Sequence, residues 1–122
     1  MFFPVSSWFA AFVLTVAVEA PIVVFLLRGV QRDLVRLAIA IVVANLATHL
    51  AVWYVFTQLL FIGTLEYILV AETWAIAAEA ILYWAAIGGL SIRRAVAVAV
   101  IANLASFTAG RLIGLVWPEV FK

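Results

Sequence analysis

Ala44-Asn45-Leu46-Ala47-Thr48 returns fifty-eight residues later as Ala102-Asn103-Leu104-Ala105-Ser106. Each copy follows an arginine by nine residues, Arg36 to Asn45 and Arg94 to Asn103, and each is preceded by a Glu-Ala pair, Glu19-Ala20 and Glu79-Ala80. The joint match of glutamate, arginine and the Ala-Asn-Leu-Ala phrase reads as the duplication of one helical hairpin. All four polar side chains lie inside long apolar segments, where a carboxyl or amide without a partner is costly.

The composition around the repeat decides the class. Of 122 residues, 70% are hydrophobic and 11% charged, too little polar surface to cover a domain in water. The chain reads as an all-α integral membrane protein, a four-transmembrane-helix bundle built from two tandem helical hairpins of the same orientation. The absence of cysteine removes disulfides, thiolate metal sites and cysteine nucleophiles. A net charge of +1, with no basic run longer than Arg93-Arg94, argues against nucleic acid as a partner.

The first repeat is expected over residues 1–56, with spans at about 8–27 and 34–56. An outer linker follows over 57–66, and the second repeat occupies 67–122, with spans at about 67–88 and 95–117. Each span has the roughly twenty residues that cross ~30 Å of hydrocarbon. Met1 to Ser7 reads as an interfacial entry, with Pro4 at the helix start and Trp8 as an anchor. Ser6 to Ala20 has the length of a signal-peptide core, but no basic residue precedes it and Pro21 follows the would-be cleavage point, so it is read as a helix. The second apolar run continues weakly through Thr57, Gln58, Gly63 and Thr64. Gly88-Gly89 and Pro118 read as helix stops.

Five of the seven basic residues, Arg28, Arg32, Arg36, Arg93 and Arg94, lie in or beside the two short turns. The positive-inside rule then makes both turns cytoplasmic and both termini external, in a membrane of the prokaryotic inner-membrane type. Two spans per repeat give both copies one orientation and a pseudo-twofold axis along the membrane normal.

Counting ~1.5 Å per residue from the turns sets each polar residue's depth. Asn45 and Asn103 fall roughly 13 Å in, near the bilayer middle; Glu19 and Glu79 reach the same level. This inner layer is common to both repeats. An outer layer of His49, Glu72 and Arg111 is not, because Phe107 stands at the position matching His49 and Phe12 at that matching Glu72.

For the asparagines, a packing role is expected, since an amide bonded to a neighbouring helix contributes ~0.6 to 2 kcal/mol. Thr48, Ser106 and Pro21 are expected to support the site, Pro21 by freeing the Ala17 carbonyl. Glu72 and Arg111, at similar depth, are expected to pair, because either alone costs ~2.5 to 3.5 kcal/mol at a helix centre. Glu19 and Glu79 have no cation at their level. They are either protonated and bonded to the asparagines, or they hold a cation from outside the chain. His49 is a candidate proton relay, a metal ligand with Glu72 or Glu79, or simply a hydrogen-bonded side chain.

Enzyme chemistry finds no footing. Asp33, in a turn, lies far from His49, so no serine, histidine and aspartate set forms; no Glu-x-x-His pair and no phosphate-cradling glycine loop occurs. No cofactor is implied. The sequence therefore predicts a small polytopic protein whose midplane Glu/Asn site binds or moves a proton or small cation, with His49, Glu72 and Arg111 as an outer gate or relay. The alternative is a noncatalytic membrane subunit whose polar layer is structural. The small-residue stripe Ala102, Ser106, Gly110 and Gly114 is expected to pack closely inside the bundle or against a second copy or a membrane partner.

Overall fold

A computed structural model describes residues 5–61 and 64–121. Among these the chain is helical without strands: α1 (Val5–Leu27), α2 (Leu34–Leu50), a π-helical segment (Ala51–Val55), α3 (Phe56–Leu59), α4 (Leu65–Ala86), α5 (Ile92–Val116) and a closing 3-10 turn, Pro118–Phe121. Four stretches, Trp8–Leu27, Leu34–Leu59, Leu65–Ala86 and Ile92–Val116, are long and apolar enough to cross a membrane. Pro4, Gly63 and Lys122 lie outside the described residues.

Helix starts repeat as the sequence phrase does. Asp33 caps α2, its carboxylate accepting from the amides of Val35 and Arg36, and Ser91 caps α5 through the amide of Arg94. A side-chain oxygen at the N-cap takes a hydrogen from an otherwise unpaired amide of the first turn. Cap, arginine and asparagine are thus evenly spaced in both copies. Arg93 and Arg94 belong to the first turn of α5, not to the connecting loop. Thr64 caps α4 in the same manner, so that span begins two residues earlier than expected. It ends at Ala86, and the turn is made by Gly89 at φ 80°, a left-handed conformation that glycine adopts without a Cβ clash.

The second span differs most from expectation. It runs to Leu59 through a π-helical turn at Ala51–Val55. A wider turn leaves backbone carbonyls displaced from their usual partners, and here side chains meet them: the Tyr67 hydroxyl donates to Val52 O at 3.0 Å, Thr57 to Trp53 O at 2.8 Å and Gln58 to Tyr54 O at 3.1 Å. π-turns of this kind recur at functional sites.

The helices pack α1 on α2 and α5, and α4 on α2 and α5. α1 therefore lies diagonal to α4, and α2 to α5. Packing is uneven along their length. The buried apolar cluster is drawn from the half nearest the two turns, with Val23 and Leu27 of α1, Leu37, Ile41 and Ala44 of α2, Ala80, Tyr83 and Ile87 of α4, and Ala95, Val98, Ala99 and Ala102 of α5. Alanines opposite larger side chains let these helices approach closely, which is how helices associate where lipid is as apolar as the interface. Arg94 closes this end by donating to Leu26 O at 2.6 Å, one of the last carbonyls of α1. Nearer the termini, Ala71 and Ala75 are the buried apolar side chains among the described residues, and space opens between the helices.

Candidate functional site

The four inner-layer residues meet where the packed half ends. Glu19, Asn45 and Glu79 are 0% exposed and Asn103 5%. Asn103 donates from Nδ2 to Glu79 Oε2 at 2.6 Å and to the Ala99 carbonyl of its own helix at 2.8 Å. Asn45 makes the equivalent backbone bond, Nδ2 to Ile41 O at 2.9 Å. Ser106 donates to Glu19 Oε1 at 2.7 Å, and its oxygen also lies 3.2 Å from the Asn103 carbonyl. Glu19 in turn is within hydrogen-bonding reach of both Asn45 and Glu79. Two carboxyls on diagonal helices thus face each other, one held by Asn103 and the other by Ser106.

The two copies of the Ala-Asn-Leu-Ala phrase do not make the same bonds. Thr48, the counterpart of Ser106, donates to Asn45 O at 3.0 Å instead of reaching a carboxyl. Glu19 Oε2, Glu79 Oε1 and Asn45 Oδ1 are buried without a hydrogen-bond partner. Buried acceptors without donors are uncommon in folded proteins, and each calls for a physical explanation.

A cavity of about 170 Å³ adjoins the layer on the terminus side, between all four helices. Glu79, Asn103, Ser106 and Thr48 form its floor, with Glu72, His49, Thr15 and Phe107 higher up. It shares Glu72, Ser106, Phe107, Val52 and Trp53 with a wider cleft of about 490 Å³ that extends to Tyr67, Gly110 and Arg111. Space of this size, with polar walls, has room for several waters.

Some expectations do not match this geometry. Glu72 and Arg111 line the same cleft but form no ion pair; among the described residues the pair that forms is Arg36 with Asp33, at 3.6 Å in the first turn of α2. Arg111 lies eight residues beyond Asn103, about 80° around the helix from it, and is exposed. Pro21 is exposed, as is Ala17. Two residues advance about 200° around a helix, so the carbonyl that Pro21 frees lies on the face opposite Glu19 and does not support the site. The small-residue stripe is divided. Ala102 is fully buried and Ser106 is turned inward to Glu19, whereas a Cβ at Gly110 or Gly114 would meet nothing within 4 Å.

His49 packs edge-on against the Phe12 ring at 5.8 Å, and its Nδ1 is buried without a partner. Among the described residues no three His, Asp or Glu side chains converge as a metal would require. The repeat relationship is instructive at this level. Phe12 of α1 faces His49 of α2, and Glu72 of α4 and Phe107 of α5 line one cavity. The pair α1 and α2 and the pair α4 and α5 each place one ring and one titratable group here, on opposite helices.

Tyr83 is the residue that sequence reading missed. It is 0% exposed, one turn from Glu79 on the packed side, with its hydroxyl buried and unpaired. The signal was its spacing of four from Glu79, which puts both on one helix face. A comparison of the chain with protein-family models, with curated proteins and with solved structures finds no match in any of the three.

Proposed function

We propose that this protein binds or moves a proton or small cation at a midplane site made by Glu19, Asn45, Glu79 and Asn103, reached from the terminus side. One observation carries the reading. Two fully buried carboxyls, without a basic partner among the described residues of their layer, lie together, and one of them, Glu79, lines a cavity that joins a wider cleft. A carboxyl inside a membrane is costly and marks proton or ion pathways more often than not.

In this reading the bundle consists of two hairpins related by a pseudo-twofold axis along the membrane normal. The exchange of α1 with α4 and of α2 with α5 preserves the observed packing pairs, which supports it. Both turns face the cytoplasm of a prokaryotic inner membrane, and His49, Glu72 and Arg111 stand along the outer approach. The test is flux. Glu19→Gln together with Glu79→Gln keeps side-chain size and hydrogen bonding while removing charge and titration. Reconstituted in proteoliposomes, the double variant should lose at least tenfold in proton or cation flux relative to wild type, and unchanged flux would refute the proposal.

A second reading has its own support. The Asn103–Glu79 and Ser106–Glu19 bonds each join two helices, as a purely structural polar layer would. The protein is then a noncatalytic membrane subunit that meets a second copy or a membrane partner through the Gly110 and Gly114 notch. Under that reading the double Gln variant changes neither flux nor fold.

A further inference from the structure

We propose that Glu19 and Glu79 share a proton between α1 and α4, so that the species exchanged at this site is a proton and not a metal cation. Each carboxyl has one oxygen held by a neutral donor, Glu19 Oε1 by Ser106 and Glu79 Oε2 by Asn103. The other oxygen of each, Glu19 Oε2 and Glu79 Oε1, is buried with no donor, and the two carboxyls are within hydrogen-bonding reach of each other. Carboxylates that share one site do not both stay ionised readily, because like charges at short range repel. A proton on either carboxyl makes one donorless oxygen a donor and the other its acceptor. The pair then carries a single negative charge, and a second proton brings it to neutrality.

A metal cation fits these oxygens less well. Hard cations gather about six or more oxygens, whereas one oxygen of each carboxyl is already committed to an N–H or O–H donor. No third acidic or imidazole side chain among the described residues converges on the pair. The surroundings also provide a way in for the second proton. Glu79 and Ser106 line the cavity and Glu19 does not. Ser106 has one hydroxyl hydrogen and two acceptors, Glu19 Oε1 at 2.7 Å and Asn103 O at 3.2 Å. Ser106 passes a proton inward when it gives its hydroxyl hydrogen to Glu19 Oε1 while its oxygen takes a proton from a water in the cavity; rotation of the hydroxyl by way of Asn103 O then resets it, and its own proton count is unchanged.

Other titratable groups stand around the pair without converging on it: Glu72 from α4 and His49 from α2 line the cavity, Tyr83 lies one turn from Glu79 on α4, and α5 brings Arg111 only as far as the wider cleft. The proposal rests on the midplane reading for its access route, but it does not require transport. The experiment is a proton-release titration of the purified protein, supported by infrared bands of 13C-glutamate, taken as the difference from the Glu19→Gln, Glu79→Gln double variant. That difference removes Glu72, His49 and Tyr83 from the count. Wild type should show two steps separated by more than about one pH unit, each single Gln variant should show one, and Na+, K+ or Mg2+ at constant ionic strength should move none of them. Coincident steps in wild type would overturn sharing. So would a cation that displaces the protons from wild type but not from Glu19→Gln. If a single Gln variant does not fold, the infrared titration of labelled wild type with and without each cation decides alone. Lost sharing with intact flux leaves the transport reading standing, and intact sharing without flux removes transport only.

Discussion

Asn45 and Asn103 occupy equivalent places in the repeat but not equivalent bonds, and the difference has a measurable size. Asn103→Leu removes an interhelical bond of 2.6 Å to Glu79 Oε2. Such bonds contribute ~0.6 to 2 kcal/mol in membrane proteins, and a buried acceptor stripped of its donor costs ~1 to 3 kcal/mol. These terms overlap, so the expected loss is about 2 to 4 kcal/mol. Asn45→Leu removes a bond to Ile41 O, a carbonyl that keeps its helical partner, a weaker approach to Glu19, and an amide oxygen that has no donor to lose. Its expected cost is ~0 to 1 kcal/mol. Both sites are buried and flanked by the same Ala and Leu neighbours, so the strain of the larger leucine cancels to first order in the comparison. The difference is then about 2 kcal/mol, or roughly thirtyfold in an unfolding equilibrium at ~1.4 kcal/mol per tenfold. Reversible unfolding in mixed micelles, with increasing SDS, measures both variants against wild type. Equal costs, or a larger cost at Asn45, would refute the claim that Asn103 ties a carboxyl across helices while Asn45 bonds its own helix.

Two other perturbations test the walls of the approach. A double-mutant cycle of Glu72→Gln and Arg111→Gln should give a coupling energy below ~0.5 kcal/mol, since the two line one cleft without pairing; coupling above ~1 kcal/mol by the same unfolding measurement would restore the ion pair. Tyr67→Phe removes the donor to Val52 O in the π-helical turn and should cost ~1 kcal/mol, with the loss in hydrogen-exchange protection confined to residues 51–59.

Much of this arrangement was legible because polar residues are rare in the chain. In a helix that is apolar on every side, hydrophobic periodicity carries little information about which face is buried, and the few polar side chains mark it instead. Glu19, Asn45, Glu79 and Asn103 could therefore be set at one depth from spacing alone. The same scarcity hid the rest. Tyr83 reads as one aromatic among many until its hydroxyl is seen to be buried beside Glu79. The π-helical turn has no proline or glycine to announce it. Arg111 has the depth of Glu72 but not its direction, and depth is what residue counting measures. Ser106 reads from the sequence only as a supporting residue of the site, yet it bonds a glutamate eighty-seven residues away, a contact that depends on how α1 and α5 pack.

The division between the repeated and the diverged halves of the helices follows the division between closed and open space. On the turn side, the cap, arginine and Ala-Asn-Leu-Ala elements occur twice, and the alanines of α2, α4 and α5 bring the helices together into a continuous apolar plug. A plug whose two halves match needs only one sequence pattern, so writing that pattern twice is enough to build it. On the terminus side the matching positions differ, Phe12 against Glu72 and His49 against Phe107, and those side chains surround the cavity or pack against its wall. Identical residues there would have placed either two imidazoles or two further carboxyls around one small space, with repulsion whenever both were charged. The exchange of a ring for a titratable group on opposite helices keeps the volume filled while limiting the charge. Under the proposed reading an asymmetric approach serves a site loaded from one side, because among the described buried side chains of the plug beyond Glu79 a proton meets only the unpaired hydroxyl of Tyr83.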